Sequence, residues 1–572
     1  MGWVEGSSSL ATIDIAIIVG FLVLVTGIGI ALSKRAAGGL DDYFLGGNKI
    51  PWWILGASTA TSNFDMSGTM IIVAVIFALG FEGFFVEMRG GVGLCLAFLM
   101  VFLGKWLRRS EVMTSAEWMK VRFGTDRQGR TAHLLSAVAN IVLSLGMIIY
   151  FAKGAGKFLT HFIPLPELWC TALMVGIGLA YTLMSGLYGV VFTDLVQMIL
   201  LVFTAIYVSV EAFALRPEVV LPEGFLEIDF VIEQGKGASL LAKDPAGWSS
   251  IFQMFGLCVV MWLFKVTLEG AGGVGGYTDQ RFFAARSERE ASLLTFESII
   301  LSIFRWTMVA GLIAAAMSTF DSTLNAGASY IVKDVYESYI RPEATQKQLM
   351  NVSRWATVGL CVAGIGLAAV VPNINTIWGL ITMGLGAGLA VPLFLRWYWP
   401  RFTGYGFAAG TAGGLVAGIS FNTLLQVPLY ISFPATVALA LACSVVVTYV
   451  TPAASEEVLV EFWRRIRPWG FWSAIAGKAE AGGVVDAAEL ATRKKERRQD
   501  YTALAFAIPF QICVLLGAMS FIFHAWEQLA VFGGISLLTG MGLYRFWFKA
   551  LPTSSPEATD LEDELALPEP AE

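Results

Sequence analysis

Residues 57–70 read ASTATSNFDMSGTM, and this polar stretch interrupts an apolar segment that is otherwise long enough to cross a lipid bilayer. The polar residues are concentrated in 62–68 as Ser62, Asn63, Asp65, Ser67 and Gly68. Ser, Asn and Asp compete with the helical hydrogen bonds and Gly loosens the backbone, so we expect a broken helix here. Non-helical backbone at membrane depth must be buried in protein or line a cavity, where its freed carbonyls can bind a cation.

A second interruption lies in residues 265–281, KVTLEGAGGVGGYTDQR, where five glycines fall within 270–276 and are expected to end or unwind the helix. Lys265 and Glu269 lie one helical turn apart, so they either neutralise each other or face a substrate. The two interruptions fall in the second and seventh predicted spans. Such spacing is typical of two inverted five-helix repeats with a binding site between their discontinuous helices.

The composition indicates a polytopic membrane protein. Of the 572 residues, 56% are hydrophobic and 14% are charged, whereas soluble domains carry about 25% charged residues. The six cysteines all lie in apolar runs and show no disulfide or metal-binding spacing. The three histidines are scattered, which disfavours a His-based catalytic or metal centre. The N-terminus has no basic segment or cleavage site, which favours a retained helix over a signal peptide.

Apolar stretches of about 20 residues recur along the chain and predict about fifteen spans. They lie near 10–33, 51–80, 85–107, 132–158, 167–184, 188–214, 249–277, 292–310, 311–337, 353–371, 375–398, 404–425, 433–451, 502–523 and 527–548. Lys and Arg gather in alternate loops, which places the N-terminus outside and the C-terminus in the cytoplasm.

These spans divide the chain into seven predicted regions. They are an N-terminal extra helix and loop (1–50), a first repeat (51–214), a second repeat (249–398), extra helices (399–452), a cytoplasmic amphipathic linker (453–500), C-terminal helices (501–550) and an acidic tail (551–572). The linker is either an interfacial helix or solvated segment, or a site for lipid or a partner. The tail is expected to be disordered.

The stretch 292–337 does not fit a simple count of spans. Basic loops flank it on both sides, so it must cross the membrane an even number of times. One continuous helix of about 40 residues would be about 60 Å long, twice the hydrocarbon thickness. No polar turn separates two spans, so we expect a tight hairpin near Arg305–Gly311 or a missing loop.

A second concentration of oxygen-bearing side chains lies within that stretch, in residues 314–325, AAAMSTFDSTLN. Ser318, Asp321 and Ser322 share one helix face by their spacing. A single Ser or Thr in a membrane helix often bonds only to the preceding turn, but this density favours a ligand. Hydroxyl and carboxylate oxygens are what a small, hard cation needs in place of its water shell.

Ionisable groups within apolar spans are costly and are candidates for function. Here they are Asp14, Asp65, Glu87, Arg89, Asp194, Lys265, Glu269, Glu297, Arg305 and Asp321.

Six segments, two of them already described, carry a resemblance to a known family. They are LGGNKIPWW (45–53), SNFDMSG (62–68), YGVVFTDLVQ (188–197), QRFFAARSEREA (280–291), AAAMSTFDSTLN (314–325) and LRWYWPRFTGYG (395–406). In this order they resemble motifs of the sodium:solute symporter family, which includes sodium/proline, sodium/sugar, sialic acid and pantothenate carriers. The resemblance implies an all-α, leucine-transporter-like core of two inverted five-helix repeats, with one extra N-terminal helix and several extra C-terminal helices.

The resemblance also implies sodium as the coupling ion and a set of ligands for it. The principal sodium site would use the carbonyls of Asn63, Met66 and Ala315 and the hydroxyls of Ser318 and Thr319. A second sodium site occurs in some members, and its counterparts here are Asp194, Ser318, Asp321 and Ser322.

The substrate pocket implied by the family lies along 65–70, Glu87, 265–277 and 378–382. Its candidate residues are Asp65, Ser67, Met70, Glu87, Lys265, Glu269, Tyr277 and Trp378. Asp65 falls where proline carriers have a carboxylate that is important for sodium binding. The chain departs from the family at 308–314, where members carry a long external loop that helps close the outer gate.

The resulting expectation is a sodium-coupled symporter in the bacterial inner membrane that imports a sugar or polyol, an amino acid or an organic acid by alternating access. Three other readings stay open. An inactive shortened variant would follow from the missing loop, and a sensor with the transporter fold would use 453–500 as its output arm. A membrane enzyme would need a nucleophile–base pair or a metal centre, which the residues do not supply.

Overall fold

The computed structural model describes residues 12–33, 38–64, 67–70, 93–160, 162–215, 255–273, 275–306, 322–371, 374–425 and 427–552. Within these ranges the chain is helical, without a β-strand. Several expectations lie outside them: the hairpin near Arg305–Gly311 falls largely on 307–321, and almost all of the acidic tail falls on 553–572.

The first half of the described chain contains eleven helices. They are α1 (Thr12–Leu32), α2 (Leu40–Leu45), α3 (Trp52–Asn63), α4 (Gly93–Phe98), α5 (Gly104–Arg109), α6 (Trp118–Phe123), α7 (Arg127–Leu159), α8 (Glu167–Leu215), α9 (Phe255–Gly272), α10 (Tyr277–Ala284) and α11 (Glu288–Trp306). A π-helical segment, Leu99–Leu103, joins α4 to α5.

In the second half, residues 322–329 are helical and continue into a π-helical segment, Tyr330–Ile340. The helices that follow are α12 (Gln346–Val370), α13 (Ile374–Gly379), α14 (Gly386–Tyr398), α15 (Gly404–Ile419), α16 (Leu429–Val450), α17 (Glu456–Ile466), α18 (Ser473–Ala481), α19 (Ala487–Ile522) and α20 (Trp526–Phe546).

The described residues include eight helices that are long and apolar enough to span a membrane. Two shorter apolar helices, Val19–Leu32 and Glu167–Ala180, accompany them. The all-helical, polytopic fold class is thereby confirmed. Several of the fifteen predicted spans overlap the undescribed segments 71–92, 216–254 and 307–321.

Both predicted interruptions are present as broken helices. α3 ends at Asn63, Phe64 leaves the helical region with φ −87° and ψ 66°, and helix resumes by Ser67. α9 ends at Gly272, and α10 begins at Tyr277 after glycines with positive φ, including Gly273, Gly275 and Gly276. A positive φ is strained for residues with a Cβ atom, so the glycines permit this break.

α8 spans two of the predicted segments, 167–184 and 188–214, and bends between them. Gly186 has φ 52° and ψ −143° inside the helix. A Cβ atom at this position would collide with the backbone and ring of Tyr43. The break predicted between the two spans is therefore a glycine kink packed against α2.

The α14 region packs against α15 through glycines. A Cβ atom added to Gly388 would lie 2.5 Å from the Gly414 backbone. Gly384, in the π-helical turn before α14, similarly faces Gly418. Small residues let membrane helices approach closely and gain van der Waals contact, which is the main source of helix association in lipid.

Residues 455–500, hereafter the cap, fold onto one end of the helix bundle. Phe462, Trp463, Trp469 and Trp472 are buried and belong to the main hydrophobic core. The structure thus differs from a solvated linker, because the apolar face of the amphipathic helix α17 is covered by protein. The physical reason is that these aromatic side chains gain more from burial than from exposure to water.

Candidate functional site

The broken end of α3 meets the helix that is described from Ser322 onward. The Ser62 hydroxyl donates to the Ser58 carbonyl at 2.8 Å, and the Ser62 and Ser322 hydroxyl oxygens lie 3.1 Å apart. Either hydroxyl can be the donor in this second bond. Both serines are buried. The two polar stretches singled out in the sequence, 62–68 and 318–325, are therefore brought into contact.

Arg281 enters this cluster from α10. Its guanidinium donates to Ser58 at 2.9 Å and to Ser322 at 2.7 Å, and it lies 3.3 Å from Oδ2 of Asp194. The Arg281 and Asp194 side chains are 1% and 0% exposed. Sequence reasoning assigned Arg281 to a basic loop and missed it as a site residue. The available signal was its position just after the glycine break.

The predicted sodium ligands are only partly described. Asn63 is buried at the end of α3, and its side-chain amide donates to the Thr59 carbonyl at 2.9 Å. Of the second predicted site, Asp194 and Ser322 are described, and both contact Arg281. The other ligands of the two sites lie outside the described residues: Met66, Ala315, Ser318, Thr319 and Asp321. Both sites stay predictions.

The second broken helix is closed by donors from α14. The Trp397 indole donates to the Gly272 carbonyl at 2.8 Å, and the Tyr398 hydroxyl donates to the Ala271 carbonyl at 2.8 Å. Asn140 of α7 accepts from the Gly276 amide at 3.1 Å. Carbonyls that would otherwise be left unpaired by the break thus bond to protein donors. The α9–α10 break is therefore hydrogen-bonded to α7 and α14.

A cavity of about 140 Å³ lies beside that junction, between α7, α9 and the α13–α14 region. Its apolar lining includes Leu143, Met147, Trp378, Ile381, Leu389 and Leu393, and its polar lining includes Ser144, Lys265, Glu269, Thr278, Thr323 and Thr382. The Trp378 ring stacks on Tyr150 with centroids 4.9 Å apart. The cavity therefore has an aromatic and aliphatic wall with a few polar groups, as small-molecule sites typically do.

Three of the predicted substrate residues, Lys265, Glu269 and Trp378, lie together on this cavity. Ser67 is buried elsewhere and donates to the Tyr150 carbonyl at 3.3 Å. Met70 packs on two hydrophobic clusters beside α7 and α8. Asp65, Glu87 and the Tyr277 side chain lie outside the described part of the structure.

Sequence reasoning missed the contribution of α7 and of the helix at 322–329 to the cavity. Ser144 and Met147 are contributed by α7, and Thr323, which follows Ser322 directly, is contributed by the helix at 322–329. Isolated Ser and Met residues are common in apolar helices, so nothing in the local sequence distinguished Ser144 and Met147, whereas Thr323 lies in the polar stretch 314–325 that was assigned to sodium.

Two broken helices, a buried polar cluster at one of them and a cavity at the other define a membrane carrier. The model of the sodium:solute symporter family matches residues 43–223 and 246–414. The chain belongs to this family.

Curated relatives cover most of the chain. The sodium/glucose cotransporter of Vibrio parahaemolyticus is 23% identical over 495 residues, which are 74% of this chain and 87% of the relative. The high-affinity proline transporter PutP of Bacillus subtilis is 25% identical over 472 residues, 76% of this chain and 98% of the relative. A solved Na⁺-coupled sialic acid symporter, in a substrate-bound outward-open state, aligns with a TM-score of 0.56 at 16% identity. The alignment covers 78% of this chain and 99% of the symporter chain. At this low identity the likeness shows the fold alone.

The predicted family, fold class and coupling ion are thus confirmed. The protein is a multi-pass membrane transporter that couples sodium to the symport of a small solute. The readings as a sensor or as an impaired variant are not favoured by these relatives.

Proposed function

We propose that sodium binds at the broken end of α3, between Asn63 and the polar stretch that carries Ser318, Thr319 and Ser322, while the solute binds in the 140 Å³ cavity. The observation that carries this proposal is the Ser62–Ser322 hydrogen bond, which joins the two polar stretches. Thr323 follows Ser322 directly and lines the cavity, so one short segment adjoins both sites. A sodium ion bound on one side of this segment therefore changes the affinity of the cavity on the other side for the solute.

In the proposed cycle, sodium stabilises a conformation whose cavity is open to the outside and accepts the solute. One repeat then moves against the other and releases both ligands to the inside. Each sodium ion moved across 100 mV contributes about 2.3 kcal/mol. Since about 1.4 kcal/mol corresponds to a tenfold ratio, one ion supports a solute gradient of about 40-fold from voltage alone.

We also propose the orientation that the basic loops favour, with the N-terminus outside and the cap in the cytoplasm. The ion pairs of Arg109 of α5 with Glu288 of α11 and Glu496 of the cap bring these three elements together, which supports a common side for them. Bacterial relatives support a location in the bacterial inner membrane. Labelling of single cysteines at the cap and at the start of α1 in intact cells tests this orientation.

The first prediction concerns the sodium ligands. Ser318→Ala or Thr319→Ala removes a hydroxyl from the dehydrated ion, and one charge-assisted contact is worth about 1.5–3 kcal/mol. We expect the sodium concentration for half-maximal uptake to rise by about 10- to 100-fold in proteoliposomes.

The matched control is Ser329→Ala. Ser329 is buried in the helix described from Ser322 onward, and its hydroxyl donates to the Ala326 carbonyl in its own turn at 2.7 Å. We expect its sodium dependence to match that of the wild type. Uptake by the wild type that is unchanged when sodium is replaced by potassium would overturn the proposal.

A further inference from the structure

We propose that the cavity takes a small zwitterion, whose carboxylate pairs with Lys265 and whose cationic group pairs with Glu269. The inference rests on the proposed role of this cavity as the solute site. It names the chemical class of the solute and the two residues that select it.

The first observation is the ion pair itself. The Lys265 ammonium lies 2.7 Å from each carboxylate oxygen of Glu269, so the two charges are fully matched in the absence of solute. Their side chains are only 4% and 14% exposed. Both residues also line the cavity. The pair therefore fits both alternatives from the sequence, because the two charges neutralise each other and also face the space where a solute would bind.

The second observation is the charge balance of the cavity. In the described lining, Lys265 and Glu269 are the only charged side chains, and they cancel. A solute with a net charge would leave an uncompensated charge in a low-dielectric site, which is costly. A zwitterion brings one charge of each sign, so the four charges form two pairs and the described lining stays neutral. The Lys265 ammonium then pairs with the carboxylate of the solute, and the Glu269 carboxylate pairs with its cationic group, in place of the contact between Lys265 and Glu269.

The third observation is size. An engineered apolar cavity of about 150 Å³ binds benzene, and the cavity here measures about 140 Å³. A small amino acid or a betaine is of comparable bulk, with a short hydrocarbon part that fits against Leu143, Met147 and Trp378. A hexose is larger than benzene.

The polar lining also disfavours a polyol. A sugar carries a hydroxyl on nearly every carbon, and each one needs a partner when it is buried. Beyond the ion pair, the described side chains offer the hydroxyls of Ser144, Thr278, Thr323 and Thr382. The Thr382 hydroxyl already donates to the Trp378 carbonyl at 2.8 Å. The lining is thus suited to two strong ionic contacts and an apolar body.

The test is a thermal-shift and uptake panel on the full-length purified protein, in sodium and in potassium. The probes are L-proline and glycine betaine as zwitterions, acetate as an anion, choline as a cation, and glucose and inositol as polyols. We expect only the zwitterions to raise the melting temperature, and to do so in sodium.

The variants Lys265→Met and Glu269→Gln each remove one ionic contact. We expect each to weaken zwitterion binding by about 10- to 100-fold and to leave the response to sodium alone intact. Glu269→Gln keeps the shape of the side chain, so it provides the measurement if Lys265→Met does not fold. The matched control is Lys153→Met, which breaks a 2.8 Å pair with Glu167 that does not line the cavity.

The outcomes separate the inference from the proposed function. Sodium-dependent stabilisation by a polyol or a singly charged ion, or zwitterion binding that both variants leave unchanged, would overturn the inference while sodium-coupled symport stands. If sodium promotes neither the binding nor the uptake of any probe, the assigned sodium and solute sites themselves are wrong.

Discussion

Arg281 shows most clearly how one side chain organises the site. Its guanidinium lies against the Asp194 carboxylate and three serine hydroxyls, and both charged groups are almost completely buried. A buried ion pair is costly to break, because removing one partner leaves the other charge without compensation. Arg281 therefore joins α10, α8 and α3 through charge as well as packing.

Arg281→Gln and Asp194→Asn should each destabilise the protein by about 3–5 kcal/mol. The double variant should cost less than the sum of the two, because each single change leaves the partner's charge uncompensated whereas the double variant removes both charges. Thermal unfolding of the purified variants measures all three effects.

Arg464→Gln is the matched control for this cycle. It breaks an exposed pair with Glu461 at 2.7 Å, with side chains 48% and 55% exposed. Exposed pairs are worth about 0–1 kcal/mol, so its melting temperature should stay close to that of the wild type. Strict additivity of the Arg281 and Asp194 effects would show that the pair is not coupled.

The contact between α14 and α15 depends on glycine residues. Gly388 and Gly414 face each other so closely that neither helix has room for a methyl group. Lipid chains are as apolar as the helices, so close packing rather than water exclusion supplies the association energy. α14 also supplies the donors that close the broken end of α9 and part of the cavity lining, so this contact supports the solute site.

Gly414→Ala should destabilise the protein by about 1–3 kcal/mol, because the added Cβ would lie 2.5 Å from the Cα atom of Gly388 and the helices must separate. A lowered melting temperature measures the effect. Gly359→Ala on α12 is the control, since a Cβ atom there meets nothing within 4 Å. It should be neutral or stabilising by up to about 1 kcal/mol. Equal melting temperatures for the two variants would contradict the close-contact argument.

Across the whole molecule, the cap is bound to the bundle through Arg122 and a cluster of aromatic rings. The Arg122 guanidinium donates to the Arg396 carbonyl at 2.7 Å and to the Trp399 carbonyl at 3.0 Å. It also lies over the rings of Phe462 and Trp472. Burial lowers the pKa of Arg122 to about 9, and the carbonyls and rings offset part of the cost of burying its charge.

Trp472→Ala should therefore lower the stability of the whole protein by about 3–5 kcal/mol. Trp472 is 3% exposed, and its indole donates to the Trp397 carbonyl at 2.8 Å. The neighbouring Phe471 is 79% exposed, so Phe471→Ala should leave the melting temperature unchanged. If Trp472→Ala also leaves it unchanged, the cap is not a structural part of the bundle.

A structural feature could be predicted from the sequence where it depends only on residues that are close together in the chain. The breaks in α3 and α9 follow from residues within a few positions, because Ser, Asn, Asp and Gly disfavour helix wherever the chain later goes. The apolar spans and the contact between the two polar stretches were also within reach of sequence and resemblance. The pairing of Lys265 with Glu269 is set by helical spacing alone.

The burial of Arg281, the docking of the cap and the closing of α9 by Trp397 and Tyr398 required the tertiary structure. Each of these features depends on which helices pack against each other. That packing is determined by contacts between residues that are far apart in the chain. The amino-acid sequence by itself determined a polytopic membrane protein with two interrupted helices, since helix breaking and apolar length are local properties, and the sodium coupling followed from its resemblance to a known family. Only the packing of the bundle decided which charges meet and how large a solute the cavity admits, because distances across the core are set by every helix at once.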